Sequence, residues 1–277
     1  DASTVIDAKG NLLIPGLHDH HTHLIAYAAS LVSINCGPPN VASEADLKSA
    51  LRAQPGRHWL RGTGHHESVS GHLDRQWLDT WAPDRPIRIQ HRSGRLWILN
   101  SLGMEIIAKS AVSMTPHEQD RLTNEDGRLY DVDELLGKLT RSEMPPVKLA
   151  SQQLAAFGVT GINDMTPSNN AETWQWFSEL QASQDLLQKV RMSGRPALGR
   201  CQRTPRLFVG ETKVHLHDSS LPDFGDFVST ITESHEKQRN VAVHCVTEVE
   251  LVYTLSAFRA ASTLAGDRIE HASVIPP

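Results

Sequence analysis

The sequence runs to 277 residues, 39% hydrophobic and 21% charged, with a formal net charge of −5. That is the composition of an ordinary globular protein, long enough for one large core or two smaller domains. It offers no basic footprint for nucleic acid or an anionic membrane, and its apolar stretches are strand-sized, too short to span a bilayer.

Three cysteines, Cys36, Cys201 and Cys245, lie far apart with no Cys-x-x-Cys spacing. They exclude a disulfide scaffold and a cysteine zinc site and fit a reducing compartment, so a cytoplasmic location is expected. No leader segment is visible, although the chain opens at Asp1 without Met. Histidine is the outlier, with 15 residues, many clustered: His18, His20, His21 and His23; His65, His66 and His72; His215 and His217. One histidine alone reads as surface, whereas clusters beside carboxylates are raw material for a transition-metal site.

In chain order, residues 1–11 read as a short strand and a turn, and Leu17 to His23 as an extended segment after the Pro15–Gly16 break. Alternation along a strand puts Asp19, His21 and His23 on one face and His18 and His20 on the other. Asp19 reads as structural. Ala42 to Ala53 reads as a helix, His58 to Gly62 and Pro86 to His91 as short strands, and Trp97 to Ala108 as helical. Pro116 to Leu129 reads as a polar loop, Glu134 to Arg141 as a helix, the His65–His72 cluster as loop surface, and Asp131 and Asp133 as a solvated face. From Val147 on, the pattern is regular. Helices are expected at Lys148 to Phe157 (capped by Gly158), Ala171 to Ser183, Phe224 to Gln238 and Val249 to Ala261. Strands are expected at Val159 to Asp164, Val190 to Gly194, Thr212 to His217, Val241 to Val246 and Arg268 to Val274.

This alternation means a parallel α/β sheet. With the strand at Leu17 it gives about six βα units, where a closed TIM-type barrel has eight. The expectation is an incomplete (β/α)8 barrel lacking its last two units, with a complete open six-stranded sheet as the competing reading.

The C-terminal ends of barrel strands carry the chemistry in such folds. Here they offer His21 and His23 on the first strand, Lys213 on the fourth, His244 on the fifth and His271 on the sixth. Imidazoles suit zinc and similar divalent ions. A protonated lysine is a poor ligand, but as a CO2-derived carbamate it becomes an anionic oxygen ligand able to bridge two ions. A plain strand-end lysine paired with Asp218 or Glu211 is the alternative for Lys213. His215 and His217 share its face and are not taken as ligands. Trp174 and Trp176 read as packing residues and Cys245 as a small apolar filler.

The run PGLHDHHTHL, with lysine and two histidines following in order, resembles the opening signature and ligand series of the amidohydrolase superfamily. The stretches WLRGTG, LDTWAPDRPIRI and SGRLWILNS resemble the insertion of its family 3, YtcJ-like, branch. The resemblance covers essentially the whole chain. It implies a remnant of a small β domain at 1–11 and a hydrolase barrel over 12–277 with an insertion at about 40–145. It also implies one or two divalent ions, Zn2+ first, held by His21, His23, a carboxylated Lys213, His244 and His271. The alternative role for His271 is to orient substrate or hydroxide. The implied reaction is hydrolysis of a carbon–nitrogen bond in a small-molecule substrate by a metal-activated water.

Two departures stand out. Ser93–Gly94–Arg95 replaces the branch's Asp–Gly–His, so Arg95 is either a substrate-carboxylate clamp or one half of an inter-segment salt bridge. Thr247–Glu248 replaces a Gly–Asp pair after the strand-five histidine. The superfamily's strand-eight aspartate, the proton carrier, is expected beyond Pro277, so residues 1–277 alone are expected to be inactive. A deaminase of the same superfamily, or a barrel that binds metal or ligand without turnover, are the alternatives. No nucleic-acid or membrane partner is expected, and self-association into a homo-oligomer is left open.

Overall fold

The computed structural model describes residues 7–54, 56, 58–140 and 144–275. They divide into two compact units: one comprises the residues up to Tyr27 and those from Val147 on, the other Ala28–Pro146.

In chain order the strands are β1 (Leu17–Thr22), β2 (Ile34–Asn35), β3 (Leu60–His65), β4 (Ile87–His91), β5 (Leu96–Leu99), β6 (Arg128–Tyr130), β7 (Val159–Asp164), β8 (Lys189–Gly194), β9 (Leu207–His215), β10 (Val241–Cys245) and β11 (Arg268–His271). The first unit holds a six-stranded sheet in the order β1-β7-β8-β9-β10-β11, parallel throughout. After the long excursion between β1 and β7, each strand pairs with the next in sequence, as a TIM-type barrel winds. This is the partial barrel sheet the sequence predicts.

Period-two alternation decides which side chains face which way. Val241, Val243 and Cys245 pack against Phe227, Ile231, Ala257 and Phe258, which come from the helices Phe224–Glu236 and Glu248–Ala261. Each buried Val, Ile or Phe of this set contributes about 1.5–3 kcal/mol. The alternating set, including Arg191, Ser193, Glu211, Lys213 and His244, lies on the opposite, polar face. Three of the helices start on side-chain caps. Asn170 Oδ1 accepts from Thr173 N, Asp223 caps Phe224–Glu236, and Thr247 makes a capping box with Glu250. Thr247 thus serves as a helix cap. Trp174 and Cys245 are buried packing residues, as expected.

The second unit carries a five-stranded sheet, β2-β3-β4-β5-β6, with β2, β3 and β4 parallel and β4, β5 and β6 antiparallel. It departs from the sequence reading in several places. Leu96–Leu99 is a strand, and the helix begins only at Ser101. All four residues of that strand are buried, and a short apolar run buried on both faces lacks the periodicity that separates strand from helix. The divider is Asn100, whose Oδ1 accepts from Gly103 N and Ile87 N, both at 2.9 Å. Pro116 to Leu129 is not all loop. Thr115 and Glu118 form a capping box that starts the helix Pro116–Arg121, and Arg128–Tyr130 is a strand. The expected strand at His58 to Gly62 runs instead from Leu60 to His65, and His65 is 1% exposed, a core histidine rather than loop surface. Asp131, half-buried, and Asp133, exposed, stay at the surface but are engaged, because Arg95 donates to Asp131 and Trp97 Nε1 to Asp133.

Of the expected N-terminal strand, residues 1–6 lie outside the described residues. Residues 7–11 form a turn closed by Asn11 N donating to Ala8 O at 2.8 Å. Among the described residues no helix is long and apolar enough to cross a membrane.

Candidate metal centre

Parallel strands present their C-terminal ends on one side, and register decides what meets there. His215 on β9 pairs with His244 on β10, and His244 pairs with Glu270 on β11, so these three form a row across the polar face. Lys213 sits one step below, paired with Ala242. The rings of His215 and His244 lie 4.0 Å apart between centroids.

His271 pairs with Cys245, which points into the helices, so alternation alone would turn His271 away from the row. Its backbone is left-handed instead, with φ 71°, and Ala272 follows at φ 45°. Such a conformation is costly for a non-glycine residue and concentrates at functional sites. It brings the His271 ring 4.6 Å from that of His244 and 4.9 Å from that of His21.

His21 and His23 share a face of β1, with centroids 5.3 Å apart. His18 and His20 form a separate pair, at 4.6 Å, and His18 Nε2 meets Asn163 Oδ1 at 2.9 Å. The His18 ring lies over Gly161, where a Cβ would come within 2.4 Å of its Nδ1, so only glycine leaves it room. Asp19 Oδ1 accepts from His21 N at 3.0 Å, the structural role expected of it. Asp164, fully buried at the end of β7, accepts from Leu24 N (2.8 Å), Thr166 N (3.0 Å) and Asn169 Nδ2 (2.8 Å), fixing the chain just after His23. His23 Nδ1 lies 3.1 Å from the Thr166 hydroxyl.

β1 and β11 are the two edges of the sheet, yet His21 Nδ1 is 2.5 Å from Glu270 Oε2. The sheet is therefore curved enough for its edge side chains to meet. Burial alone would raise the Glu270 pKa, but the His21 hydrogen bond and the charges of Arg268 and Lys213 bring it down to about 2. An ionised carboxylate only accepts, so His21 Nδ1 carries the proton.

The remaining electrostatics follow from burial. His244 is pushed down to about 3 by desolvation, then by His215, His271, Lys213 and His217, and is a neutral imidazole at neutral pH. Burial lowers His23; Asp164 opposes this, while His21, Lys213 and His271 add to it. Lys213 is 6% exposed, and its Nζ has no hydrogen-bond partner among the described residues. Desolvation brings its pKa to about 8 against the favourable charge of Glu270. Glu211 is already engaged by Ser193 Oγ (2.6 Å) and Arg191, and does not pair with it. Beneath the site, Arg239 donates to the carbonyls of Gly194, Arg195, Pro196, Gly210 and Glu211, tying β8 and β9 together.

The donor chemistry fits a divalent ion: neutral imidazoles from three strands beside a buried, unpartnered amine. Among the described residues, no three His, Cys, Asp or Glu side chains already gather their donor atoms around one point. What converges is the set of rings. Arg95 is not among them. It lies in the second unit, where its fork closes on Asp131 (Nε to Oδ1 2.9 Å, Nη2 to Oδ2 2.8 Å), the salt-bridge role of the two considered.

Residues 4–277 match the family model described as the Amidohydrolase family. The chain belongs to this amidohydrolase family. Two curated proteins match parts of it. The N-substituted formamide deformylase of Arthrobacter pascens is 27% identical over 119 residues, 40% of this chain and 22% of that protein. Protein LONG AFTER FAR-RED 3 of Arabidopsis thaliana is 24% identical over 122 residues, 42% of this chain and 21% of its own length. The matched parts thus span about a fifth of these relatives. Two solved structures, titled uncharacterized metal-dependent hydrolases, share the amidohydrolase chain's fold at 19% identity. The one from Pyrococcus horikoshii OT3 has a TM-score of 0.67, covering 95% of this chain and 59% of its own; that from Pyrococcus furiosus has 0.63, covering 95% and 61%.

The sequence reading passed over Glu270, Asp164, Thr166 and the closeness of His215 to His244. A pointer to Glu270 was present in its place next to a strand-end histidine. Nothing local marks Asp164, whose partners lie on other segments.

Proposed function

We propose that this chain forms the metal-binding part of a hydrolase of the YtcJ-like branch that cleaves a carbon–nitrogen bond other than a peptide bond in a small molecule. The observation that carries the reading is the convergence of the His21, His23, His244 and His271 rings beside the buried, unpartnered Lys213 amine. Family membership, the metal-dependent hydrolases that share the fold and the deformylase relative support it.

In this reading His21, His23, Lys213, His244 and His271 hold one or two divalent ions, zinc first. A bound ion lowers the pKa of water to roughly 7 and polarises a carbonyl. The chain's own contributions are distinct from that. His244 stays a neutral lone-pair donor well below neutral pH. Lys213, shielded and without a partner, keeps a share of neutral amine that adds to CO2, forming the N–C bond of a carbamate and releasing a proton. Asp164 and Thr166 hold His23 in place. The carboxylates described near the strand ends are engaged: Asp164 by backbone and Asn169, Glu211 by Ser193, Glu270 by His21.

The test is metal analysis of this chain, together with hydrolysis of an N-substituted formamide and a panel of small amides by the full-length protein. Expected are activity lost to a chelator and restored by Zn2+, and a 13C carbamate signal from labelled bicarbonate that Lys213→Ala abolishes. A protein that binds no divalent metal would sink the reading.

A further inference from the structure

β11 delivers two consecutive side chains, Glu270 and His271, toward one partner, His21. Glu270 reaches it by ordinary alternation; its Oε2 is hydrogen-bonded to His21 Nδ1 at 2.5 Å, and its Oε1 lies 2.7 Å from Arg268 Nε as an ion pair without hydrogen-bond alignment. Its side chain is 12% exposed. His271 reaches His21 through the left-handed turn at φ 71°. A histidine that binds a metal through one nitrogen needs the other nitrogen's proton held, and a carboxylate is a common holder.

We propose that Glu270 is a positioning residue for His21: by accepting the Nδ1 proton it fixes the ring's tautomer and orientation, leaving Nε2 as the lone-pair nitrogen for a divalent ion. The inference rests on the reading of His21 as a ligand. The rival is a purely structural role, an ion pair that joins the two edges of the sheet. It predicts a loss of stability on substitution but no particular tautomer for His21.

Three measurements separate these roles. In the metal-free protein, 15N NMR of the histidine side chains should show His21 as the Nδ1–H tautomer. In Glu270→Leu that signature should disappear. Zn2+ and Co2+ affinities should fall about 10–100-fold in Glu270→Gln and Glu270→Leu, the range for losing an outer partner of a ligand histidine. In a His21→Ala background, Glu270→Gln should cost no further affinity, because Glu270 acts through that ring. If Glu270→Leu does not fold, Glu270→Asp replaces it with the same expected losses, since it keeps the charge beside Arg268 but is one methylene too short for His21. A wild type that binds metal, beside variants with unchanged tautomer and affinity, overturns the role of Glu270 alone. A wild type that takes up no metal overturns the ligand reading, and this role with it.

Discussion

The molecule has two histidine clusters, one in each unit, and they are built in opposite ways. In the second unit the ring partners are close in sequence, although the buried His65 Nδ1 has no hydrogen-bond partner among the described residues. His65 Nε2 meets Ser70 Oγ at 3.0 Å, His66 Nδ1 accepts from Ser68 N, and His91 Nδ1 accepts from Ser93 N while Nε2 meets Glu67 at 3.0 Å. For His66 and His91, accepting at Nδ1 puts the neutral ring's proton on Nε2, the wrong tautomer for a metal there. In the first unit the partners are far apart in sequence: Thr166 for His23 and Glu270 for His21, separated by 143 and 249 residues. At least one ring, His21, is tied at Nδ1 as a donor, and a buried amine is left without a partner. Local pairing finishes a structure, whereas long-range convergence of several rings around a buried amine marks a place prepared for something else.

That contrast can be broken experimentally. Replacing His21 and His23 together with alanine should reduce Zn2+ affinity by more than the roughly 100-fold ceiling for an outer partner, whereas His65→Ala and His91→Ala should leave it unchanged. Equal losses from the two clusters, read by competition with a chromogenic chelator, would erase the distinction. His65→Ala should instead show itself in stability, costing about 1–3 kcal/mol in urea unfolding, because it removes a buried, hydrogen-bonded side chain. No change there would mean the second cluster is not structural either.

Both clusters should also show in the pH dependence of the metal-free protein. Burial, together with neighbouring histidines, holds His244 down to about 3 and His65 down to about 4 from an ordinary 6.5. Between those values the unfolded chain binds protons that the folded chain refuses, so stability should fall as pH drops from about 6.5 toward 3. Glu270, depressed to about 2, adds a loss that begins below its ordinary 4.5. His65→Gln should flatten the slope above pH 4, seen in urea midpoints. The smallest effect is expected at Arg95, whose pair with Asp131 is more than a third exposed on the arginine side. Arg95→Ala should change stability by no more than about 1 kcal/mol and leave the KM for a formamide substrate unaltered. A large rise in KM would restore the clamp reading.

The first unit was the more legible from sequence because its signals are periodic and repeated. Val159–Asp164 has the bounds that alternation gives, and the helix Phe224–Glu236 starts where Asp223 caps it. The candidate ligands stood out because each lies within two residues of a strand's C-terminal end. The second unit resisted for two reasons. Leu96–Leu99 is buried without periodicity, and the capping signal at Thr115 to Glu118 sits in a polar stretch. Glu270 and Asp164 were illegible for a different reason: their roles are set by segments that only the folded sheet brings near.

The contact between His21 and Glu270 also has a consequence in time. The second unit is one continuous stretch of chain, complete once Pro146 has emerged during synthesis. The first unit needs β1 to wait for β7, and its strand-end cluster needs β11. At about 5–20 residues per second, the 249 residues between His21 and Glu270 leave roughly 12–50 s during which His21 and His23 are synthesised but unassembled. Bringing ends together across so long a loop is paid in chain entropy before any contact repays it. The histidines nearest the N-terminus are thus among the last to find their places, and assembly of this cluster reports that the barrel sheet has closed far enough for its edges to touch.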